Sequence, residues 1–233
     1  MTLVDTYNPD IIIGTESWLK EEIGNTEIFR ADYTTFRRDR HTRGGGVFIC
    51  VKNNLTCSEL WVDDFEIIAV EIKGSDSKDT WEVIGIYRAP SEDVRVIERL
   101  ADRTGFLSTL MKLSIIGGDL NLLQVDWKGV ADHGNVTQAF INRMVQENGY
   151  TQVVDTPTGG NSLLDIYLIR PESAFITSST VQGISDHCGI LLEVEGIGSG
   201  VEPQQKRSVP QNRCYRATNV VVVISIFWTG SHY

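Results

Sequence analysis

The chain has 233 residues, 41% hydrophobic and 9% aromatic, enough for one large domain whose core needs no covalent staples. Its four cysteines form no CxxC pair and no His/Cys cluster, so neither a zinc site nor a disulfide framework is indicated, and free thiols fit an intracellular protein. A formal net charge of −10 gives no long-range pull toward nucleic acid, so any polyanion must be held by a local basic patch or a bound metal.

The opening "TLVDTYNPD" lacks the basic start and apolar centre of a secretion signal. Residues 10–15 ("DIIIGT") then read as a buried strand. Residues 44–55 enter on three glycines and alternate Val47, Ile49 and Val51 against Phe48, Cys50 and Lys52, a strand pattern. Residues 65–74 and 80–90 are two more strands, and the turn-rich "GSDSKD" between them predicts a hairpin with a long loop. A helix is predicted over 93–112, with Ile97, Leu100, Ala101, Leu107, Leu110 and Met111 as its apolar positions and Gly105 weakening its continuity. Residues 112–121 ("KLSIIGGDLN") form a further buried strand. A second helix is predicted over 135–147, with Val136, Phe140, Met144 and Val145 on one face, Asn135 as N-cap and Gly149 as stop. Strands at 163–169, 175–184 and 189–196 close the set.

Strands outnumber helices, and the helices fall between strands, so a layered α/β packing with helices outside is expected. After residue 196 the sequence becomes rich in glycine, proline and glutamine and reads as a linker. The expected division is a domain over 1–196 and a linker with an unrelated tail over 197–233. The longest apolar run, 220–228 ("VVVVISIFW"), is far short of the roughly 20 residues a membrane helix needs, so no membrane is expected.

Polar groups recur where these strands end. Glu16 follows "IIIGT", Tyr87 and Arg88 follow "EVIGI", and Asp119 and Asn121 follow "LSIIGG". Asp165 stands between Leu164 and Ile166, while Asp186 and His187 precede "CGILLEV". Taken singly, each also reads as ordinary structure: Glu16 as the first acid of a helix, "GGDLN" as a solvated turn, "YRAP" as a strand stopped by proline. Asp165 carries more information, because a carboxylate inside an apolar strand is costly unless paired. Gathered on one rim, these groups supply carboxylates for a hard divalent cation, a His–Asp pair, and amide and phenol donors. That is the inventory of metal-assisted phosphodiester hydrolysis.

The order of these stretches resembles the endonuclease/exonuclease/phosphatase superfamily. "DIIIGTESWL", "RGGGVFICVK", "VIGIYRAPS", "IIGGDLNLLQVDW", "SLLDIYLI" and "GISDHCGIL" appear in family order over residues 9–194. "TESWL", "RGGGV" and "GDLNLLQVDW" resemble most closely the apurinic-type endonuclease domain of LINE-type, jockey-like non-LTR retrotransposons. The resemblance implies a deoxyribonuclease I-like, four-layered α/β sandwich of two packed mixed β-sheets with outer helices. It implies Glu16 as a ligand of Mg²⁺ (or Mn²⁺), with Asp186 beside the metal. His187 would contact the scissile phosphate or share proton transfers, oriented by Asp165. Asp119 would orient or deprotonate the attacking water, and Asn121 and Tyr87 would hydrogen-bond phosphate oxygens. Whether Asp119 or His187 is the base stays open. Ser185 would support the Asp–His pair, and Thr156 and Thr158 resemble a substrate-touching loop.

For DNA, the segment "FRRDRHTRGGG" offers Arg38, Arg40 and Arg43 alongside Arg37 and His41, and Arg88, after the strand ending at Tyr87, is a further candidate. Such a segment reads either as a phosphate-binding loop or as a solvated basic loop. By the resemblance, the family's first strand, which carries an asparagine beside the metal, has no counterpart ahead of residue 9. A reverse transcriptase domain is expected in full-length relatives and is absent here. Two readings of residues 220–228 follow: unrelated sequence, or a β-branched run that folds back as a strand into the vacant place. The functional expectation is a Mg²⁺-dependent endonuclease that nicks target DNA, with an intracellular, nuclear place of work. Its alternatives are a catalytically inactive retrotransposon-derived remnant and a small-substrate phosphatase of the same superfamily.

Overall fold

Apolar strands buried on both faces need a covering layer on each side, and the segments at 11–15, 47–52 and 113–119 are buried along almost their whole length. In the computed structural model they lie in two facing six-stranded sheets. The structure describes residues 3–63, 65–73, 80–107, 113–123, 136–182, 186–195 and 220–227, and residues 111, 125 and 127.

The first sheet contains β1 (Ile11–Thr15), β2 (Tyr33–Arg38), β3 (Val47–Lys52), β10 (Phe175–Val181), β11 (Gly189–Glu195) and β12 (Val220–Phe227), in the order β10-β11-β12-β1-β3-β2. The second contains β4 (Thr56–Val62), β5 (Ile67–Lys73), β6 (Thr80–Tyr87), β7 (Leu113–Asp119), β8 (Thr151–Gln152) and β9 (Asp165–Arg170), in the order β4-β5-β6-β7-β9-β8. Both are mixed: β1 runs parallel to β12 and β6 parallel to β7, and the remaining pairs are antiparallel. Between the sheets lies the main core, where Ile11, Ile13, Val47 and Ile49 meet Val70, Val83, Ile115 and Tyr167.

The outer faces are covered differently. Helix α3 (Arg95–Leu107) and helix α4 (Val136–Asn142), which continues into a π-helical turn at Arg143–Glu147, cover the second sheet. There Val96, Ile97, Leu100, Ile141 and Met144 pack on Ile84, Ile116 and Leu168. Among the described residues, the first sheet has the short helices α1 (Leu3–Tyr7) and α2 (Asn25–Ile28) over Ile12, Phe48 and Ile224. The four layers are those of a deoxyribonuclease I-like α/β sandwich. Among the described residues no helix is long and apolar enough to cross a membrane.

The predicted helix over 93–112 is α3, which starts two residues later; Asp93 accepts from the Arg95 N–H and caps it. Asn135, the predicted N-cap of the second helix, lies outside the described residues, while Gly149 sits after its end at φ +73. Strands β2 and β4, absent from the sequence reading, are edge strands with half-exposed, mostly polar faces. Neither an unbroken apolar run nor a clean alternation marks them.

Residues 220–227, assigned on sequence to the stretch beyond the domain, form an interior strand of the first sheet. β12 pairs with β1 from Ile11↔Val223 to Thr15↔Phe227 and with β11 from Ile190↔Ser225 to Glu195↔Val220. The fold-back reading of the apolar run is the one the structure adopts. Asp10 pins the register: its N–H donates to the Val222 carbonyl at 2.8 Å, and its side chain accepts from the Val222 N–H at 3.0 Å. Val223, Ile224 and Ile226 are buried, each contributing about 1.5–3 kcal/mol of hydrophobic stabilisation. Removing residues 220–233 would strip one edge from both β1 and β11. The melting temperature is expected to fall by at least about 10 °C, measured by circular dichroism; an unchanged midpoint would show that β12 adds nothing to the fold.

Candidate active site

Three strand ends meet in register on one rim of the second sheet. Tyr87, the last residue of β6, pairs with Asp119, the last of β7, and Asp119 pairs with Asp165, the first of β9. Asp119 is 1% exposed and Asp165 2%. Two carboxylates brought this close and this deep repel each other and lose hydration. The consequence falls on Asp119: burial, then the neighbouring Asp165 charge, push its carboxyl up to about 7.

The surroundings hold both groups. Asn121, at φ +50, curls back so that its backbone N–H donates to Asp119 Oδ1 at 3.0 Å and its amide donates to Asp119 Oδ2 at 2.9 Å. The same amide donates to the Arg88 carbonyl at 2.9 Å. Asp165 Oδ2 lies 2.7 Å from His187 Nδ1. Burial works against the imidazolium, but the Asp165 contact and the charges of Asp165, Asp119 and Asp186 outweigh it and raise the His187 pKa. Thr158, buried at the back of the site, accepts from the Leu164 and Asp165 N–H groups through its hydroxyl, while its carbonyl accepts from the Cys188 N–H at 2.7 Å. It therefore clamps the His187 loop to the start of β9.

Glu16 joins from the first sheet, one residue beyond β1 at φ +54. Its carboxylate accepts from the Tyr87 hydroxyl, from the Trp18 indole N–H at 2.6 Å and from the Gly45 N–H at 2.8 Å. Burial and the Glu16 carboxylate together raise the Tyr87 pKa, so the phenol stays a donor. The run Gly44–Gly46 has φ +80, +77 and +94, a left-handed path that side chains rarely tolerate. A Cβ on Gly45 would stand 2.4 Å from the Glu66 carboxylate, and one on Gly46 2.2 Å from Ser17 Oγ. This path aims the Gly45 N–H at Glu16 and the Gly46 N–H at Glu66.

Asp119, Asp165 and His187 each offer a ligand atom within 4.8 Å of the others. A divalent cation fits this chemistry, since its charge would offset two buried carboxylates and oxygen donors suit a hard ion. The resemblance pointed instead to Glu16 and Asp186 as the ligands. Glu16 offers carboxylate oxygens on the same rim, through Tyr87, and Asp186 lies exposed beside His187.

The other predicted residues divide. Arg40 pairs with Glu66 and Glu92 and stacks 5.6 Å over the Tyr87 ring. Arg88 donates to the Leu120 and Glu92 carbonyls, bracing the Asn121 turn. Both are held inside the protein's own network. Arg38 ends β2 half-buried, whereas Arg43 and Thr156 are exposed. Ser185 lies outside the described residues. The sequence reading missed Trp18, Glu66 and the clamping role of Thr158. The pairing of "ESW" with "RGGG" was the one signal for Trp18, and nothing local marked Glu66, whose partners Gly46 and Arg40 are distant in sequence.

No family model and no curated protein matches the sequence. Solved structures do share its fold. The endonuclease domain of TRAS1, a telomere-specific non-LTR retrotransposon, superposes with a TM-score of 0.57 at 14% identity, over 80% of this chain and 98% of that domain. An AP endonuclease from Leishmania major gives 0.61 at 14%, over 79% and 78%. The 3′ phosphatase NExo from Neisseria, bound to a product DNA hairpin, gives 0.60 at 13%, over 83% and 92%. The chain has the fold of endonuclease/exonuclease/phosphatase proteins.

Because Asp119 and His187 both titrate above their ordinary values, metal-free protein is stabilised by their protonated forms. The Asp119 contribution is complete below the usual aspartate value of 3.8 and is lost as pH rises through about 7; that of His187 is lost as pH rises from 6.5 through its raised value. In EDTA, the melting temperature is expected to drop from about pH 5 to about pH 8, and to drop less in Asp119→Asn, whose amide carries no charge to lose its proton. Parallel curves for the two proteins would contradict the assignment.

Proposed function

We propose that this chain is a Mg²⁺-dependent DNA endonuclease, with Mn²⁺ able to substitute, of the kind that retrotransposons use to nick target DNA. The observation that carries the reading is the buried Asp119–Asp165–His187 cluster, with Glu16 and Tyr87 on the same rim. The TRAS1 likeness supports the retrotransposon branch, and the NExo–DNA structure supports DNA as substrate. A reverse transcriptase domain and a nuclear place of work belong to the same reading.

By the resemblance, Glu16 and Asp186 would hold the ion beside the Asp119–Asp165–His187 cluster, and it would supply Lewis-acid stabilisation of phosphate charge. The chain's own residues do the rest. Asn121 fixes both oxygens of Asp119, so a water beside that carboxylate meets an oriented acceptor. In the deprotonated form, favoured when a cation is near, Asp119 takes the proton of the attacking water. His187, whose protonated form Asp165 favours, would donate to a non-bridging phosphate oxygen as charge builds. Tyr87 holds Glu16 in place through its hydroxyl.

The test is nicking of supercoiled plasmid. Relaxed circles are expected with Mg²⁺ or Mn²⁺, none with EDTA, and a loss of roughly 10²- to 10⁴-fold in Asp119→Ala and in His187→Ala. Turnover of small phosphate esters without nicking would mean a phosphatase. No turnover at any metal concentration would mean a non-catalytic remnant.

A further inference from the structure

Beside Glu16 lies a cavity of about 530 Å³ that the hydrolytic scheme above does not use. Its lining includes Trp18, Lys20, Ile23, His41 and Arg43. Trp18 is 42% exposed, unusual for the largest apolar side chain. Its backbone stands at φ +55, directly after a stretch that puts Glu16 at φ +54. Two bulky residues held in the left-handed region across three positions store strain, and such strain persists only where the surroundings over-determine it. Here the surroundings are specific. The indole N–H donates to Glu16 Oε2 at 2.6 Å, the ring lies over Gly44, and the Arg43 guanidinium sits 5.8 Å above the ring. The backbone N–H of Trp18 also donates to the Gly45 carbonyl at 2.9 Å.

An oriented aromatic face, exposed to solvent and ringed by Lys20, His41 and Arg43, is a stacking platform with cations for a phosphate backbone. The acidic groups here are Glu21, 4.0 Å from His41, and Glu16 itself. The volume falls in the range of small-molecule pockets, room enough for one nucleotide. We propose that this pocket receives one nucleotide of the strand being cut, its base stacked on Trp18 with Arg43 and Lys20 on the adjoining phosphate. The inference rests on the nuclease reading and adds to it a subsite that grips one base next to the metal-side carboxylate. Because the Trp18–Glu16 bond joins the platform to the rim, a base seated there fixes where the scissile phosphate falls.

The test is binding without turnover. The full chain in EDTA is titrated into short fluorescein-labelled DNAs, one intact and the others each lacking a single base, and anisotropy is read. For wild type, removal of one particular base is expected to weaken binding by roughly 5- to 100-fold, with other positions nearly silent. Trp18→Ala should bind all the DNAs equally, at the weakened level. Trp18→Phe, which keeps a ring and loses the bond to Glu16, should retain the dependence on that base. The proposal is overturned if wild type shows no base-position dependence or binds no DNA, or if Trp18→Ala keeps the dependence. Plasmid nicking is a separate readout. Nicking with no base dependence defeats this subsite alone, and base dependence with no nicking defeats the nuclease reading while leaving a nucleic-acid site.

Discussion

Asp119 and Asp165 face each other on one rung of the β7–β9 pair, both buried, both carboxylates. A sheet that ends its strands with two such groups in register has to offset their repulsion. Each neighbour contributes to that. Asn121 turns back onto Asp119, His187 sits against Asp165, and Thr158 holds the two loops together. The remaining mismatch is a raised Asp119 pKa. Such a site is stable when protonated or when a cation is near, and the second state is the one in which a carboxylate can accept a proton from water.

The other half of the rim hangs on β1, and β1 is held on one side by a strand from the far end of the chain. β12 runs parallel to β1, pinned at Asp10. Its interior place leaves neither β1 nor β11 with an open edge, which would otherwise invite pairing with another chain. Glu16 follows β1 by one residue, so the position of this carboxylate depends on a segment more than 200 residues away in sequence. Arg40, Glu66 and the three glycines then tie the Glu16 turn to the second sheet.

Much of this was legible from residues alone. Buried strands announce themselves as apolar runs, and β1, β5, β6, β7, β9 and β11 were found that way, β3 by its alternation. Asp165 was found as a carboxylate in an apolar strand. The order of the motifs indicated the sandwich, which the superposition on solved structures of the same fold matches. Edge strands β2 and β4 were missed because one-sided, half-exposed strands carry weak alternation. Arg40 and Arg88 looked like substrate-facing cations, since sequence shows a charge and not its partner. Glu66, Glu92 and the carbonyls that engage them are brought close only by folding.

The sequence by itself determined the alternation of strands and helices, the candidate carboxylates and histidine, and the glycine run that takes the left-handed path. Those depend on residue type and local spacing. Tertiary structure alone decided that 220–227 completes the first sheet, that Asp119 meets Asp165 in register, and that Trp18 stays outside while tied to Glu16. The first two are contacts between segments distant in the chain, and the third depends on one, the glycine turn at Gly45 that holds both Glu16 and the Trp18 backbone; all are set by the closure of two sheets over one shared core.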